Sequence, residues 1–292
     1  MNILVTGANG QLGTELRNLS VGSAHNFVFT DVTQVPGAPT FNLDITNPDA
    51  VRLVVDSERI DVIVNCAAYT AVDKAEEDFR TADELNHLAP GYLAAAAAGA
   101  GATLIHVSTD YVFPGTACTP IPESAPTGPQ SVYGSTKLAG ERAVADSGCN
   151  YIIFRTAWLY SPYGNNFVKT MLRLTSERES VKVVYDQVGS PTCAEDLAAL
   201  IMHVLDRGLL DRKGIYHFTD EGAVSWFDFA RHICEYAGHK CRVEPCLSAE
   251  FPSKVKRPSY SVLDKSLVRK TFGWEVPYWT DSLKKCIEKT GK

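Results

Sequence analysis

From residue 2 to residue 160 the chain repeats one pattern: an unbroken apolar run, a cluster of small or polar residues, then a helical stretch. The runs are Ile3-Leu4-Val5, Phe27-Val28-Phe29, Val62-Ile63-Val64, Leu104-Ile105 and Ile152-Ile153-Phe154. None of them alternates apolar with polar, so each predicts a strand covered on both faces. Strands of that kind separated by helices predict an α/β fold, a doubly wound parallel sheet. Past Trp158 the alternation loosens. The loop 161–166 precedes helices over 167–175 and 194–205, with a strand at 181–185 between them. A last sheet strand is expected at 214–218, then a helix from Ser225, a segment bounded by Pro245, Pro252 and Pro258, and a final helix over 280–289.

The first run ends in Thr6-Gly7-Ala8-Asn9-Gly10-Gln11-Leu12-Gly13. Gly7 permits a tight turn, Gly10 lets backbone approach a pyrophosphate, and Gly13 lets helix pack close to strand. Asn9, Gln11 and Leu12 complete the turn, and the helix that follows offers unpaired N–H groups to phosphates. Strand, glycine turn and helix in that order predict a Rossmann-type dinucleotide site. Asp31 ends the second run, about 20 residues on, where a carboxylate accepts from the ribose hydroxyls of the adenosine. No Arg or Lys lies between Phe27 and Val51, so no clamp for a 2′-phosphate is written there, and NADH and NADPH both stay open. Asp44 and Ile45 are placed to flank the adenine. After Asn65 the small residues Ala67 and Ala68, with Tyr69, suit close backbone approach to a cofactor.

Ligands of such sheets sit at the carboxyl ends of the strands, and Ser108-Thr109-Asp110-Tyr111 follows the 103–107 run. Tyr133 and Lys137 open the helical pattern that runs through Val144. Four residues apart, they share a helix face. An ammonium near a phenol lowers the phenol's pKa, which makes Tyr133 a proton donor to a carbonyl oxygen.

Composition adds exclusions. The charge of −6 provides no basic footprint, so nucleic acid is not an expected partner. The apolar run 93–102 is too short for a membrane span. Eight cysteines without a Cys-x-x-Cys pair, and a start directly on a strand without a charged leader, predict a reduced cytoplasmic protein with neither disulfides nor structural zinc. Glu15 and Glu195 suit helix dipoles, and the sequence assigns them no Mg2+ or other ion.

The segments GANGQLG (7–13), VIVNCAAYTAVDKAE (62–76), STDYVFPG (108–115), YGSTKLAGE (133–141), FRTAWLY (154–160), NNFVKTML (165–172) and SPTCAEDLA (190–198) are similar to those of the extended short-chain dehydrogenase/reductases. Within that group they resemble the dTDP-4-dehydrorhamnose reductases. The last third matches more thinly, through Arg257-Pro258, Ser261 and Leu263-Asp264. The resemblance implies a Rossmann domain over 1–158, with 190–220 returning to it. A smaller α/β substrate domain would be built from 159–189 and 221–292. It implies reduction of the C4 ketone of a dTDP-hexulose with NADPH, or NADH, as cofactor. Thr109, Tyr133 and Lys137 would be the catalytic set, with Tyr133 giving the proton and Lys137 holding the nicotinamide ribose. Thr70, Val72, Asp110, Tyr111 and Trp158 would line the sugar pocket, and Asn166 and Lys169 the nucleotide end. The oligomeric state is open, a homodimer being one option.

Three rivals share the fold. A dehydratase needs a second carboxylate after Asp110, where Tyr111 stands. A C4 epimerase is less well matched by the 108–113 stretch and Trp158. A non-catalytic dinucleotide-binding module, such as the regulatory subunit of methionine adenosyltransferase, resembles the chain in the same motifs.

Overall fold

The computed structural model describes residues 1–251 and 253–291, so Pro252 of the proline-bounded segment lies outside the described residues. The chain starts in the middle of its sheet. β1 (Asn2–Thr6) leads through α1 (Gln11–Leu19) to β2 (Asn26–Asp31) and the two-residue edge strand β3 (Phe41–Asn42). Helix α2 (Pro48–Ser57) carries the chain back to β4 (Val62–Asn65) on the other side of β1. From there it grows outward through α3 (Val72–Ala75), α4 (Phe79–Asp83), α5 (Ala89–Ala100), β5 (Thr103–Thr109), α6 (Val132–Asp146) and β6 (Asn150–Thr156). The resulting seven-stranded order is β11-β6-β5-β4-β1-β2-β3, with β11 at Gly214–His217, and every pairing in it is parallel. Strand order reverses between β1 and β4, which is where such sheets open a ligand crevice.

Two apolar cores cover the sheet. One joins Leu12 and Leu16 of α1, Leu197 and Ile201 of α8 (Ala194–Asp206), and Val268 and Phe272 of α10 (Ser266–Phe272). The other joins Val51 and Val55 of α2 to Leu93, Ala94 and Ala97 of α5. A third core stands apart. It is built from Val168 and Met171 of α7 (Phe167–Glu177), Phe229 and Ile233 of α9 (Trp226–Tyr236), and Leu283 and Ile287 of α11 (Trp279–Thr290). Under these helices β8 (Ser180–Val184) pairs in parallel with β13 (Arg242–Cys246). Short pairs β7 (Leu159–Tyr160) with β10 (Thr192–Cys193), and β9 (Val188–Gly189) with β12 (Val224–Ser225), stitch the loops around it.

Among the described residues, six strands depart from the sequence reading. The two-residue strands β3, β7, β9, β10 and β12 are too short to leave a periodic signal. β13 carries Pro245 opposite Val183, and an internal proline argues against a strand except in a small or edge pairing of this kind. Between α4 and α5 the helical stretch is interrupted by a π turn over Glu84–Leu88.

Helix α6 is held to the sheet by a buried ion pair. Arg155 donates from Nε to Glu141 Oε1 at 2.8 Å and from its terminal nitrogen to Oε2 at 2.6 Å. Both side chains are nearly fully buried. Removing one partner of such a pair strands the other charge in the core. Glu141→Gln should therefore lower unfolding stability by roughly 3–5 kcal/mol. Removing the exposed pair Arg173–Glu177 should cost under ~1 kcal/mol. Urea denaturation of the two variants side by side checks the contrast.

Candidate active site

The turn after β1 is fixed by close approach. Gly7 has φ +64°, and a Cβ on it would stand 2.7 Å from the backbone of Ala67. A Cβ on Gly13 would stand 2.4 Å from Gly7 O. Gly10 caps α1 without any side chain of its own, so the first N–H groups of the helix face the turn uncovered. That is a cradle shaped for a diphosphate and filled by any Cβ, and it fits the dinucleotide the sequence predicts.

Asp31 is fastened to this turn. Its Oδ2 accepts from Asn9 N at 3.0 Å, and its Oδ1 from Thr33 N at 3.0 Å. The expectation that no base stands near Asp31 needs correcting in space. Arg17 reaches over from α1, stacks on Phe29 at 4.3 Å, and donates to Pro39 O at 2.6 Å and Thr40 Oγ1 at 3.1 Å. Burial lowers the pKa of its guanidinium, and the Asp31 charge opposes that fall. A search along β2 misses it because the guanidinium comes from a neighbouring helix, one turn past Gly13. Asp44 is exposed and accepts from Thr46, Ile45 is buried in the α2–α5 core, and Leu12 is buried against the sheet. Gln11 Oε1 accepts from Ser161 and from Asn166, tying the turn to the 161–166 loop. Ala67, Ala68 and Tyr69 are half-buried beyond β4. Asn86, on the π turn, accepts from Tyr69 N at 2.9 Å and donates to Tyr69 O and Thr136 Oγ1. A π turn at a working site is a recurring feature, and only its amide placement, invisible to periodicity, reveals the role of Asn86.

Tyr133 and Lys137 emerge from the first turns of α6, which Ser131 caps by accepting from Gly134 N at 3.1 Å. Lys137 is buried and donates to Val107 O at 2.7 Å, so it lies along β5 beneath the strand's carboxyl end. Burial brings its pKa down to about 8, with Glu141 opposing. Burial pushes the Tyr133 phenol up, the Thr109 hydroxyl opposes that rise, and Asp110 and Tyr111 add to it. The expected effect of Lys137 on the phenol is thus replaced here by that of Thr109. The buried ammonium spends a hydrogen bond on a strand carbonyl instead. Thr109 Oγ1 donates to Asp110 Oδ1 at 2.9 Å and accepts from Tyr111 N at 3.2 Å.

Beside this edge opens a cleft of about 1000 Å³. Tyr111, Phe167, Met171 and Trp226 give it apolar walls, and Arg178, Lys182, Lys254 and Arg257 supply cations. Arg257 donates to Tyr111 Oη at 3.1 Å and pairs with Asp73. The predicted substrate residues are placed unevenly around the cleft. Tyr111 lines it directly, and its ring meets that of Tyr133 edge-on at 5.4 Å. Trp158, with φ +51°, stacks on Trp226 at 3.5 Å and so backs the wall. Asn166 caps α7 by accepting from Lys169 N, which leaves Lys169 half-buried on that helix. Thr70 is exposed and Val72 opens α3. Phe251, Lys254 and Arg257 were not singled out as site residues, because the 247–258 loop carries no periodic signal.

Lys289 pairs with Glu195 and its charge reaches Glu15. Among the described residues no group of three His, Cys, Asp or Glu side chains could hold a metal ion.

The RmlD substrate binding domain model matches residues 1–291. The dTDP-4-dehydrorhamnose reductase of Burkholderia thailandensis is 40% identical, with 98% of each chain covered, and that of Escherichia coli K12 is 39% identical. The crystal structure of the Clostridium acetobutylicum dTDP-4-dehydrorhamnose reductase superposes with a TM-score of 0.93 at 44% identity over all of both chains. The Bacillus anthracis dTDP-4-dehydrorhamnose reductase, in complex with NADP, gives 0.91 at 38% identity over 99% of each chain. A Thermus thermophilus UDP-glucose 4-epimerase shares only the fold, at 20% identity. With a match over nearly its whole length, the chain belongs to the RmlD substrate binding domain family.

Proposed function

We propose that the protein reduces the C4 ketone of dTDP-4-dehydrorhamnose to dTDP-L-rhamnose with NADPH, and that NADH serves less well. The observation that carries this reading is the meeting of Thr109, Tyr133 and buried Lys137 at one sheet edge, between the glycine turn and a cationic cleft. NADPH held on the turn supplies a hydride to the ketone carbon. Gly7, Gly10, Gly13 and the N-terminus of α1 hold the diphosphate, with Asn9, Asp31 and Arg17 around the adenosine ribose. Lys137 holds the nicotinamide ribose. Thr109 orients the ketone oxygen and Tyr133 gives it a proton, so that a secondary alcohol leaves. Arg178, Lys182, Lys254 and Arg257 suit a nucleoside diphosphate better than a neutral sugar. Relatives of this family at about 40% identity are named as this reductase, which favours catalysis over a binding module.

The division of the chain belongs to the same proposal: 1–158 with 190–220 for the cofactor, 159–189 with 221–292 for the sugar nucleotide. The separate α7–α9–α11 core supports it, although α10 packs on the sheet side. A reduced cytoplasmic setting fits eight free cysteines, and we include a homodimer as the assembly, to be read by light scattering.

Purified protein should oxidise NADPH only when the dTDP-hexulose is added; absence of turnover would overturn the proposal. Tyr133→Phe should bind NADPH normally and lose roughly 10²-fold or more in kcat, the scale of a general acid. Arg17→Gln should weaken NADPH binding about tenfold in a fluorescence titration while sparing NADH, the scale of one hydrogen bond to a charge. Equal losses for both cofactors would make Arg17 a purely structural residue.

A further inference from the structure

Asp110 is the buried titratable group next to the reacting edge that the proposed chemistry leaves unused. It is 3% exposed. Its Oδ1 accepts the Thr109 hydroxyl proton at 2.9 Å, while Oδ2 is buried with no hydrogen-bond partner among the described residues. Thr109 has one proton and two lone pairs. One lone pair takes Tyr111 N–H at 3.2 Å, and the neighbouring Tyr133 oxygen competes with Asp110 for the proton. As long as Asp110 is a carboxylate, the Thr109 proton stays on it. Thr109 can then only accept from Tyr133, which turns the phenol's proton away from a ketone.

We propose that Asp110 works as a neutral carboxylic acid, a positioning residue that donates to Thr109 Oγ1 and so frees the single Thr109 proton, which serves the ketone oxygen before the proton transfer and the Tyr133 oxygen after it. The proposal rests on Tyr133 being the proton donor. No proton leaves Asp110 during turnover: the alkoxide takes its proton from Tyr133, and Thr109 steadies the phenolate left behind. Neutralising Asp110 also removes a negative charge that opposes the phenolate.

The surroundings shift the carboxyl toward the acid form. Burial raises the Asp110 carboxyl to about 6, against the lowering influence of the Thr109 and Ser261 hydroxyls. The groups that face it are Tyr111 on its own turn, Tyr133 on α6, and Ser261 on the C-terminal segment. Arg257 stands one residue removed, on Tyr111 Oη, and its charge is balanced there by Asp73. Lys137 is turned onto Val107 O. A substrate that covers the cleft removes further water, which pushes a carboxyl higher still.

The sign follows directly. If the acid is the working form, kcat/KM of the wild type should fall about tenfold per pH unit above the ionisation of Asp110. Asp110→Asn imitates the neutral acid and should abolish that fall, its kcat/KM staying level with pH whatever level it starts from. Ser261→Ala, which removes a hydroxyl that favours the carboxylate, should move the fall to higher pH. Difference infrared spectroscopy of the enzyme with cofactor gives a readout without turnover: a neutral carboxyl band that disappears as pH rises and is missing in Asp110→Asn. An Asp110→Asn enzyme whose kcat/KM still falls over the same pH range as the wild type would overturn the proposal, because it would show the fall to belong to another group. So would a wild-type fall unmoved by Ser261→Ala, which keeps the test decisive if Asp110→Asn does not fold. A wild type without turnover would instead sink the reductase reading, and the infrared band would still judge the state of Asp110.

Discussion

The seating of α6 on the sheet is the constraint on which the rest of the site depends. Two of its residues are glycine because nothing larger fits. A Cβ on Gly134 would lie 2.3 Å from Tyr111 O, and one on Gly140 would lie 2.1 Å from Asn86 O. The helix is therefore pressed against the turn after β5 and against the π turn before α5. The Glu141–Arg155 pair fixes it along the third direction, onto β6. With its helix held on three sides, Lys137 can be buried with one carbonyl as partner, and Tyr133 can sit beside Thr109 without a flexible loop between them. Short distances at a reacting centre are useful only when the elements that carry them cannot drift.

The same packing links both halves of the site. Asn86 holds the backbone after β4, which the Gly7 turn touches through Ala67, to the helix that carries the phenol and the ammonium. The cofactor cradle and the proton-donating edge are thereby parts of one rigid surface. The substrate cleft is different. It lies between that surface and the separate α7–α9–α11 core, and it is bridged by pairs such as Arg257 with Asp73 and Lys254 with Glu77. The Lys254–Glu77 pair is exposed and therefore weak, so Lys254 can exchange its partner for an anionic ligand at small cost, whereas Arg257 is half-buried.

Much of this was legible in the sequence, for identifiable reasons. Unbroken apolar runs announced the parallel strands, because a strand buried on both faces has no polar alternative. The glycine turn was legible because Gly7 and Gly13 answer steric demands that no other residue meets. Tyr133 and Lys137 were legible through helical spacing. What stayed hidden depends on contacts between distant segments. Arg17 lies fourteen positions before Asp31 and reaches it across a helix–strand packing. Arg257 meets Tyr111 and Asp73 from the far end of the chain. The partner of Lys137 is a backbone carbonyl, which no side-chain pattern can reveal. β13 hid behind Pro245, because proline is normally evidence against a strand.

Charge shows how local the arrangement is. The chain as a whole is acidic, at −6, yet every ligand the site is shaped for is an anion. A global field would repel such ligands weakly and is screened within about 10 Å at moderate salt. The site works inside that distance. The first N–H groups of α1 are uncovered, and four cationic side chains line the cleft beside the carboxylates of Asp73 and Glu244. In the proposed cofactor pose Asp31 and Arg17 stand together at the ribose, so a hydroxyl would find an acceptor and a phosphate a donor. Discrimination between the two nicotinamide cofactors is then a matter of which of these two neighbours the 2′ substituent meets first, not of the protein's charge.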